Sequence, residues 1–322
     1  MSNFNTAVRA LWQMRIRKRP FVLSHGINST CNMQCSFCDY WREEKQEMTV
    51  EEIFSMLDDA KDFGIGVYNA WTVEPLMRSE LPEILEYAHS LELKTSLVTN
   101  GLLLKKRISE LTDLDYLSVS VDGIETYRDS RGVDFSRILP GIEEAVSTFE
   151  KHVLLNCVIS NRNIHELRDL VLLADDLGAM ISFEPMYEFS SIEDNVWDKI
   201  GVRDKNQHRM AVDDLIHMKE AGYPIINSKT YLQMVRDMRP KWKCHAPNIL
   251  IGVSQEGMVY TCRVHREPLA DIRDGLENVW KQWGKQMQEK ASSCEGCLFF
   301  GYAENSMMYR FNPEVIRHYE WM

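Results

Sequence analysis

The sequence lacks any apolar run of about eighteen residues, the length that a membrane-spanning helix requires. Its first residues also lack a compact apolar segment followed by small residues at a cleavage site, which argues against a secretory signal. The formal net charge of −11 shows no basic surplus, and a nucleic-acid-binding surface usually has one. We therefore expect a cytoplasmic protein that has no nucleic-acid partner.

Acidic residues are missing from residues 1–38, which carry five arginines and lysines. Because the whole chain carries −11, residues 39–322 carry −16. The segment "AVRALWQMRIRKRPFVL" mixes these cations with apolar side chains such as Trp12 and Ile16. One interpretation is a basic amphipathic helix over residues 1–20 that contacts an anionic membrane surface or a phosphorylated substrate. The other is a first helix that packs on the body and keeps its basic side in solvent.

Disulfides are not expected in a reducing compartment, although the chain has eight cysteines. Cysteines of such a protein more often bind metal or take part in catalysis. Cys157 is different, because it lies inside the strand-like run "LLNCVIS" and is expected to be a buried structural thiol.

Apolar runs typical of strands alternate with helical patterns over residues 21–186. Six such runs alternating with helices predict an α/β fold with a parallel sheet, and the sites of such sheets lie beyond the carboxyl ends of the strands. The predicted strands are 21–28, 65–71, 94–100, 115–123, 152–160 and 179–186, and the predicted helices are 49–64, 79–92, 102–111, 134–151 and 163–178.

The alternation stops after residue 186. Residues 187–210 are polar and are expected to be irregular, and one more helix is predicted over 211–222. We place a domain boundary near residue 238. The expected division is therefore 1–20, 21–238 and 239–322.

The stretch "INSTCNMQCSFCDYW" places Cys31, Cys35 and Cys38 directly after the first predicted strand. Iron–sulfur cubes are held by cysteine thiolates, normally four of them. Three thiolates would leave one iron open to a chelating substrate. The alternative is a three-thiolate zinc site completed by His25, although a core histidine is the simpler expectation for that residue.

This Cys-x3-Cys-x2-Cys loop, with the aromatic Phe37 before its last cysteine, resembles the loop of the radical S-adenosylmethionine (SAM) enzymes. The resemblance implies a partial (β/α)6 TIM-like barrel in which these cysteines hold a [4Fe–4S] cluster and SAM binds its open iron. In that family an electron from the cluster cleaves SAM to a 5′-deoxyadenosyl radical, which takes hydrogen from the substrate. An external electron donor such as flavodoxin or ferredoxin is also implied.

Further segments resemble family motifs in the expected order along the chain. "TVEPLM" stands where the family carries Gly-Gly-Glu-Pro, so Thr72 and Val73 replace the two glycines and leave the shape of that loop open. The segments "LVTNG", "SVSVDG" and "YRDSRG" follow it. The SAM-binding residues that the resemblance implies are Glu74 for the SAM ammonium, Asn100, Ser120 for the carboxylate or ribose, and Arg131 for the carboxylate.

A second set of four cysteines follows Pro240, two of them on either side of a predicted hairpin at Gly257. Four thiolates suit zinc as well as iron–sulfur. Their spacing resembles the twitch form of the C-terminal SPASM domain, which implies a second, fully ligated [4Fe–4S] cluster. Its ligands would be Cys244, Cys262, Cys294 and Cys297.

Glu184 and Tyr187 end the sixth predicted strand, where a catalytic acid or base on the substrate side would lie. The favoured function is a radical SAM enzyme that acts on a small metabolite such as a sugar, cyclitol or nucleoside, with the second cluster assisting an oxidation or rearrangement. The alternatives are a lipid, isoprenoid or peptide substrate, and a non-enzymatic electron carrier or zinc scaffold.

Overall fold

The computed structural model of the chain describes residues 3–42, 45–151, 153–186, 193–264 and 267–316. Its centre is one open sheet of nine strands in the order β6-β5-β4-β3-β2-β1-β7-β8-β9. The first six strands are parallel and neighbour one another in chain order, which is the arrangement of an unclosed, partial TIM-like barrel. The predicted α/β class and the six parallel strands are confirmed.

The strands are short, and most of them are buried on at least one face. Alternation of buried and half-buried residues, as in β2 and β3, shows that one face packs under helices and the other lines the barrel interior. The bounds are β1 Val22–Gly26, β2 Val67–Trp71, β3 Lys94–Thr99, β4 Tyr116–Ser120, β5 Leu154–Ile159, β6 Met180–Pro185, β7 Leu250–Val253, β8 Met258–Tyr260 and β9 Pro268–Asp271.

Helices connect the strands and extend the fold at both ends. In chain order they are α1 Asn3–Leu11, α2 Val50–Phe63, α3 Leu81–Ser90, α4 Leu104–Arg107, α5 Tyr127–Arg131, α6 Leu139–Thr148, α7 Leu167–Leu177, α8 Asp194–Ile200, α9 Lys205–Glu220, α10 Lys229–Arg236, α11 Leu276–Ser293, α12 Phe300–Tyr309 and α13 Pro313–Ile316. A π-helical turn, Trp12–Ile16, continues α1. None of the helices among the described residues has the length and apolar character needed to cross a bilayer.

Local sequence explains where the helices begin and end. Thr49 and Glu52 form a capping box at the start of α2, and Gly64 ends that helix with a φ of 107°. The predicted helix over 134–151 begins later, at Leu139, because Pro140 is favourable only in a first turn.

The segment expected to be irregular, 187–210, is partly helical. The short helix α8 lies within it and α9 begins at Lys205, six residues before the predicted start. Asp204 explains the earlier start, since its side chain accepts the backbone N–H groups of Asn206 and Gln207. Trp197 of α8 is buried, although the segment around it is mostly polar, and the polar composition led to the expectation of an irregular segment.

The C-terminal strands continue the barrel sheet. The strand β7 is parallel to β1, with Val22 opposite Leu250, and the antiparallel strands β8 and β9 follow it. Gly257, with a φ of 89°, forms the predicted hairpin turn between β7 and β8. The region after residue 238 is thus joined to the barrel through one strand pair, and the boundary near residue 238 stays a prediction.

Candidate active site

The cysteine loop follows the carboxyl end of β1. Parallel sheets place their functional sites at that end of their strands. Cys31, Cys35 and Cys38 all line one cavity, and the charges of Cys31 and Cys38 act on Cys35. Burial raises the pKa of all three thiols, that of Cys35 to about 12. The thiols alone therefore stay protonated at neutral pH, and a bound metal would be needed to make them thiolates.

Neighbouring side chains hold this loop. Asn100 lies at the end of β3, where its Nδ2 donates to Oδ1 of Asn32 at 2.8 Å and lies 3.6 Å from Sγ of Cys31. The indole of Trp41 donates to the carbonyl of Cys35 at 3.2 Å. Asn100 therefore contacts both a cysteine sulfur and an asparagine side chain of the loop.

His25 belongs to the core. Its ring is fully buried on β1 and its Nδ1 lies 2.9 Å from the hydroxyl of Tyr68. Burial, followed by the charge of Arg78, lowers the pKa of His25 to about 3, so the ring is neutral. This agrees with the expected core histidine.

The loop after β2 keeps a glycine-like shape without glycine. Thr72 has a φ of 79° and Val73 a φ of 51°, a region that β-branched residues rarely adopt. Such strain persists only where the surroundings impose it, and it is typical of ligand-binding loops. Thr72 and Val73 therefore adopt a backbone shape that favours glycine, at a cost in backbone strain.

Glu74 holds three loops together. Its carboxylate is fully buried and accepts the backbone N–H of Leu76 at 3.0 Å, the hydroxyl of Thr99 at 2.6 Å and the backbone N–H of Asn100 at 2.7 Å. A carboxylate has about four acceptor positions, so little capacity remains for a ligand. Its contact with the SAM ammonium stays a prediction, and its support of the loops is a structural fact that the sequence did not indicate.

Arg131 reaches the cysteine loop from α5. Its guanidinium lies 5.5 Å from the ring centre of Phe37, and its Nε donates to Asp122 at 2.6 Å. Arg131, Phe37 and Ser120 all line the same cavity as the three cysteines. The residues implied for SAM binding, apart from the fully buried Glu74, therefore line one cavity.

The cavity inside the open barrel measures about 910 Å³. We call the end of the cavity at the carboxyl ends of the strands its upper end, and the loops that follow the strands line it there. Towards the opposite, lower end the cavity is lined by strand residues that point into the barrel. Lining residues that the following argument uses are Cys31, Cys35, Cys38, Thr72, Asn100, Ser120, Arg131, Glu184 and Arg263 at the upper end, and Leu11, Arg15, Ser24, Asn69, Ser96, Asn156, Ser182, Phe311 and Ile316 further down.

Arg263 lies between the two groups of cysteines and directly follows Cys262. Its guanidinium is 4.7 Å from the ring centre of Trp71, 5.0 Å from that of Phe299 and 5.8 Å from that of Tyr40. Such an aromatic cage stabilises a cation in a poorly hydrated place. In the sequence Arg263 is only the neighbour of the predicted ligand Cys262. The cage could not be predicted, because its three rings come from distant parts of the chain.

Glu184 lies near the end of β6 and lines the cavity, and its catalytic role stays a prediction. Its Oε2 accepts the backbone N–H of Phe300 at 3.1 Å. Burial raises the pKa of Glu184, while the charge of Arg263 acts in the opposite direction. Tyr187, the second predicted catalytic residue, lies outside the described residues.

The second set of cysteines comes from three segments. Cys244 precedes β7, Cys262 follows β8, and Cys294 and Cys297 follow α11. Burial raises the pKa of Cys244 to about 11, and the charges of Cys294 and Cys262 add to this effect. Three of the four sulfurs thus influence one another, and the indole of Trp242 donates to the carbonyl of Cys297 at 2.7 Å.

Buried polar atoms around the first cysteine loop favour a bound polar ligand. Five of them have no hydrogen-bond partner within the described residues, whereas buried polar groups are normally paired. They are Asn28 Oδ1, Asn32 Nδ2, Ser36 Oγ, Trp71 Nε1 and Thr72 Oγ1.

The described residues contain no three Cys, His, Asp or Glu side chains that could share one metal ion. A four-iron cube is larger than a single ion, and its ligands therefore stand further apart. Three neighbouring thiols and unpaired polar atoms fit a cluster that carries a polar ligand.

The family model of the radical SAM superfamily matches residues 27–174. A probable GTP 3′,8-cyclase of Methanococcus aeolicus is 28% identical over 281 residues, which cover 79% of this chain and 88% of that protein. A probable GTP 3′,8-cyclase of Saccharolobus islandicus is 26% identical over 278 residues, covering 80% of this chain and 87% of that protein.

Solved structures share the fold at low sequence identity. Streptococcus suis SuiB bound to S-adenosylmethionine superposes with a TM-score of 0.69 at 17% identity, covering 96% of this chain and 80% of that chain. The protein anSMEcpe with bound AdoMet gives a TM-score of 0.65 at 17% identity, covering 92% and 98%. Residues 27–174 therefore form a radical SAM domain, and the matches support a radical SAM enzyme, a family that implies a [4Fe–4S] cluster and SAM as cofactors.

Proposed function

We propose that this enzyme takes hydrogen from a small, neutral, hydroxyl-bearing substrate that binds in the barrel cavity below the cysteine loop. Cys31, Cys35 and Cys38 would hold the [4Fe–4S] cluster, and Phe37, Asn100, Ser120 and Arg131, which line the same cavity, would face SAM. When bound, the cluster supplies the electron that cleaves SAM, and an external donor such as flavodoxin or ferredoxin replaces that electron.

The observation that carries the substrate class is the polar barrel interior. The interiors of closed barrels are normally filled by layers of bulky branched side chains. Here Nδ2 of Asn69 donates to the Ser24 hydroxyl at 3.2 Å, and the Ser96 hydroxyl donates to Oδ1 of Asn69 at 2.6 Å. The Ser182 hydroxyl donates to Asn156 at 2.6 Å. Small hydroxyl and amide side chains leave the cavity open and offer both donors and acceptors to substrate hydroxyls.

Charge pairing argues against a triphosphate in this cavity. Arg131 is paired with Asp122 and is assigned here to the carboxylate of SAM, and Lys94 donates to Asp115 at 2.5 Å. Glu184 provides a negative charge near Arg263. A polyanion needs several cations that are close together and not already neutralised. Arg15, which donates to the carbonyl of Tyr309, lies at the lower end of the cavity, away from the arginines at its upper end. The proposed substrate therefore differs from the GTP in the names of the sequence relatives.

Glu184 is the proposed catalytic acid or base. Its carboxyl group lines the cavity near Arg263, and burial raises its pKa, as is common for groups that exchange a proton with a substrate. Tyr187 is proposed for the same role from its position in the sequence. The Glu184→Gln variant should lose product formation while it still binds SAM.

We propose further that Cys244, Cys262, Cys294 and Cys297 hold a second [4Fe–4S] cluster. The mutual influence of Cys244, Cys262 and Cys294 supports one shared site. With four protein ligands no iron is left for substrate, so when bound this cluster would supply electron transfer. Iron and sulfide should fall by half in the Cys294→Ala, Cys297→Ala variant while SAM cleavage continues. Zinc in anaerobically purified protein would contradict this assignment.

The experiment that tests the proposed function is deuterium transfer into 5′-deoxyadenosine. Deuterated sugars, cyclitols, nucleosides and GTP are each incubated anaerobically with the reconstituted enzyme, SAM and dithionite. Label should come from a neutral hydroxyl-bearing compound and not from GTP. The variant with Cys31, Cys35 and Cys38 all replaced by Ala is the control and should form no 5′-deoxyadenosine. Label from GTP alone would overturn the substrate class.

A lipid substrate is a second candidate, favoured by one observation. The lower end of the cavity is lined by Leu11, Phe311 and Ile316, which are also exposed at the surface. An apolar chain could enter the barrel there. Deuterated isoprenoid and phospholipid probes in the same assay separate this candidate from the first.

A further inference from the structure

Exposed large apolar side chains are concentrated at one end of the molecule. Among the described residues ten such side chains are exposed, and six of them belong to the N-terminal segment or to the chain after α12. We call these six the terminal patch: Val8 at 50% exposure, Leu11 at 45%, Trp12 at 60%, Ile16 at 63%, Phe311 at 52% and Ile316 at 38%. Clustered exposure of this kind marks an interaction surface.

The N-terminal segment turns its apolar stripe outward because its other side is fixed. Gln13 is buried, and its Nε2 donates to the carbonyls of Pro20 at 3.2 Å and Phe63 at 3.0 Å. Met14 packs against Phe21 and Ile249. A surface helix normally buries its apolar stripe. Here Val8, Leu11, Trp12 and Ile16 follow helical spacing and face solvent instead.

Contacts across the termini join the two parts of the terminal patch. The guanidinium of Arg15 lies 4.5 Å from the ring centre of Tyr309 and 4.9 Å from that of Phe311. Arg15 also donates to the carbonyl of Tyr309 at 2.9 Å. Leu11, Phe311 and Ile316 line the same end of the barrel cavity. Phe311 therefore lies next to the N-terminal segment that carries the other exposed apolar side chains.

Positive charge surrounds this region. Arg15, Arg17 and Lys18 are exposed, and the hydrogen bonds of Arg15 and Arg17 go to neutral carbonyl and amide oxygens. No acidic residue occurs in residues 1–38, whereas the whole chain carries −11. A basic apolar surface on an acidic protein is complementary to a layer that has anionic heads and an apolar interior.

We propose that the terminal patch docks on the surface of an anionic lipid bilayer, with Trp12 and Ile16 inserted among the headgroups. Trp is the side chain best suited to that interface, because it joins a large apolar ring to a polar N–H. A second copy of the chain is a poorer partner, because a twofold contact would place the same cations against each other. The docked orientation brings the lower end of the barrel cavity to the lipid surface. The proposal does not depend on which substrate the enzyme uses.

Vesicle sedimentation tests the docking. The full chain, purified and reconstituted anaerobically, is mixed with vesicles of phosphatidylcholine alone or of phosphatidylcholine with phosphatidylglycerol. We expect binding only to the vesicles that contain phosphatidylglycerol. The Trp12→Glu, Ile16→Glu variant should bind at least tenfold more weakly. The matched control is Met210→Glu, Met238→Glu, which changes two equally exposed apolar residues elsewhere and should bind like the wild type.

A charge variant gives a second measurement. Arg17→Gln, Lys18→Gln should weaken binding by about fivefold for each charge removed, and the effect should shrink at high salt. Circular dichroism checks that each variant keeps its helix content.

Three results would overturn the proposal. The first is equal sedimentation with neutral and anionic vesicles, or with neither. The second is a vesicle-free dimer in sedimentation velocity that the Trp12→Glu, Ile16→Glu variant dissolves, since the partner would then be a second copy. The third is binding that occurs only after deletion of residues 317–322, since those residues would then cover the terminal patch in the full chain.

Discussion

Nε of Arg131 donates a 2.6 Å hydrogen bond to Oδ2 of Asp122, and both side chains are buried. The other oxygen of Asp122 accepts the backbone N–H of Val158 at 2.8 Å, so this carboxylate joins α5 to β5. The pair fixes Arg131 beside Phe37, where the arginine lines the cavity. A buried cation held in this way is suited to bind a carboxylate.

Arg131→Lys should therefore weaken SAM binding while the fold is retained. Lysine keeps the charge but loses the planar fork, and one charge-assisted hydrogen bond is worth about 1.5–3 kcal/mol, or about ten- to a hundredfold in affinity. Equilibrium dialysis of SAM against the reconstituted protein measures the change. The control is Arg128→Lys on the same helix, whose guanidinium is exposed and paired with Asp134. Equal affinities of both variants would contradict a role for Arg131 in binding SAM.

Glu74→Gln should lower both thermal stability and SAM affinity. The amide places an N–H group against a donor from Leu76, Thr99 or Asn100, and a lost buried hydrogen bond costs about 1–3 kcal/mol. SAM affinity should fall by about ten- to a hundredfold if the carboxylate also holds the SAM ammonium. Anaerobic calorimetry and SAM dialysis measure the two effects.

The variant Thr99→Val separates these two roles of Glu74. It removes the hydroxyl that donates to Glu74 and leaves the carboxylate charge, so it should lose stability and keep SAM affinity. An unchanged dissociation constant in Glu74→Gln would mean that Glu74 only supports the loops.

Thr72→Gly, Val73→Gly should raise the melting temperature. A left-handed backbone conformation costs a non-glycine residue about 1–2 kcal/mol. Glycine avoids that cost, but it loses roughly 0.5–1 kcal/mol more chain entropy on folding, which offsets part of the gain. The net gain for the pair is about 1 kcal/mol. The Ala, Ala variant is the control, because it removes the side chains but keeps the strain. A lower melting temperature for the glycine variant than for the alanine variant would show that these positions are not strained.

Local patterns predicted most of the barrel because they report on contacts close in sequence. The capping box of Thr49 and Glu52 and the turn at Gly257 are decided by a few neighbouring residues, and both are present. The cysteine loop is equally local, since Cys31, Cys35 and Cys38 lie within eight positions. Six short strands followed from strand-like runs that alternate with helical patterns along the chain.

Long-range placement could not be predicted in the same way. The cage around Arg263 joins rings from Tyr40, Trp71 and Phe299, and nothing near any of them in sequence indicates the others. The pairing of β7 with β1 is similar, because four residues, Leu250–Val253, carry no mark of their partner strand. The hydrogen bonds of Glu74 were missed since the motif suggested a ligand for its carboxylate and the fold supplied protein donors.

Glu304 predicts a loss of stability as the pH rises. This carboxyl is fully buried on α12 and accepts the backbone N–H of Ser228 at 2.6 Å. Burial raises its pKa from 4.5 to about 7, against the smaller opposing effect of the hydrogen bonds from Ser228. Between pH 4.5 and 7 the native state therefore holds more protons than the unfolded state, and the free energy of unfolding falls as the pH rises.

Glu304→Gln should remove this part of the pH dependence. Glutamine still accepts the N–H of Ser228 and never ionises, so the variant should gain stability over the wild type by about 2–3 kcal/mol between pH 4.5 and pH 8. Urea unfolding of both proteins at pH 5, 6, 7 and 8 gives the difference curve, in which contributions from other titrating groups cancel. The control is Glu143→Gln, which removes a carboxyl group on the exposed side of α6. A curve for Glu304→Gln that does not differ from this control would mean that Glu304 is already ionised in the fold at low pH, with its charge neutralised by Lys219.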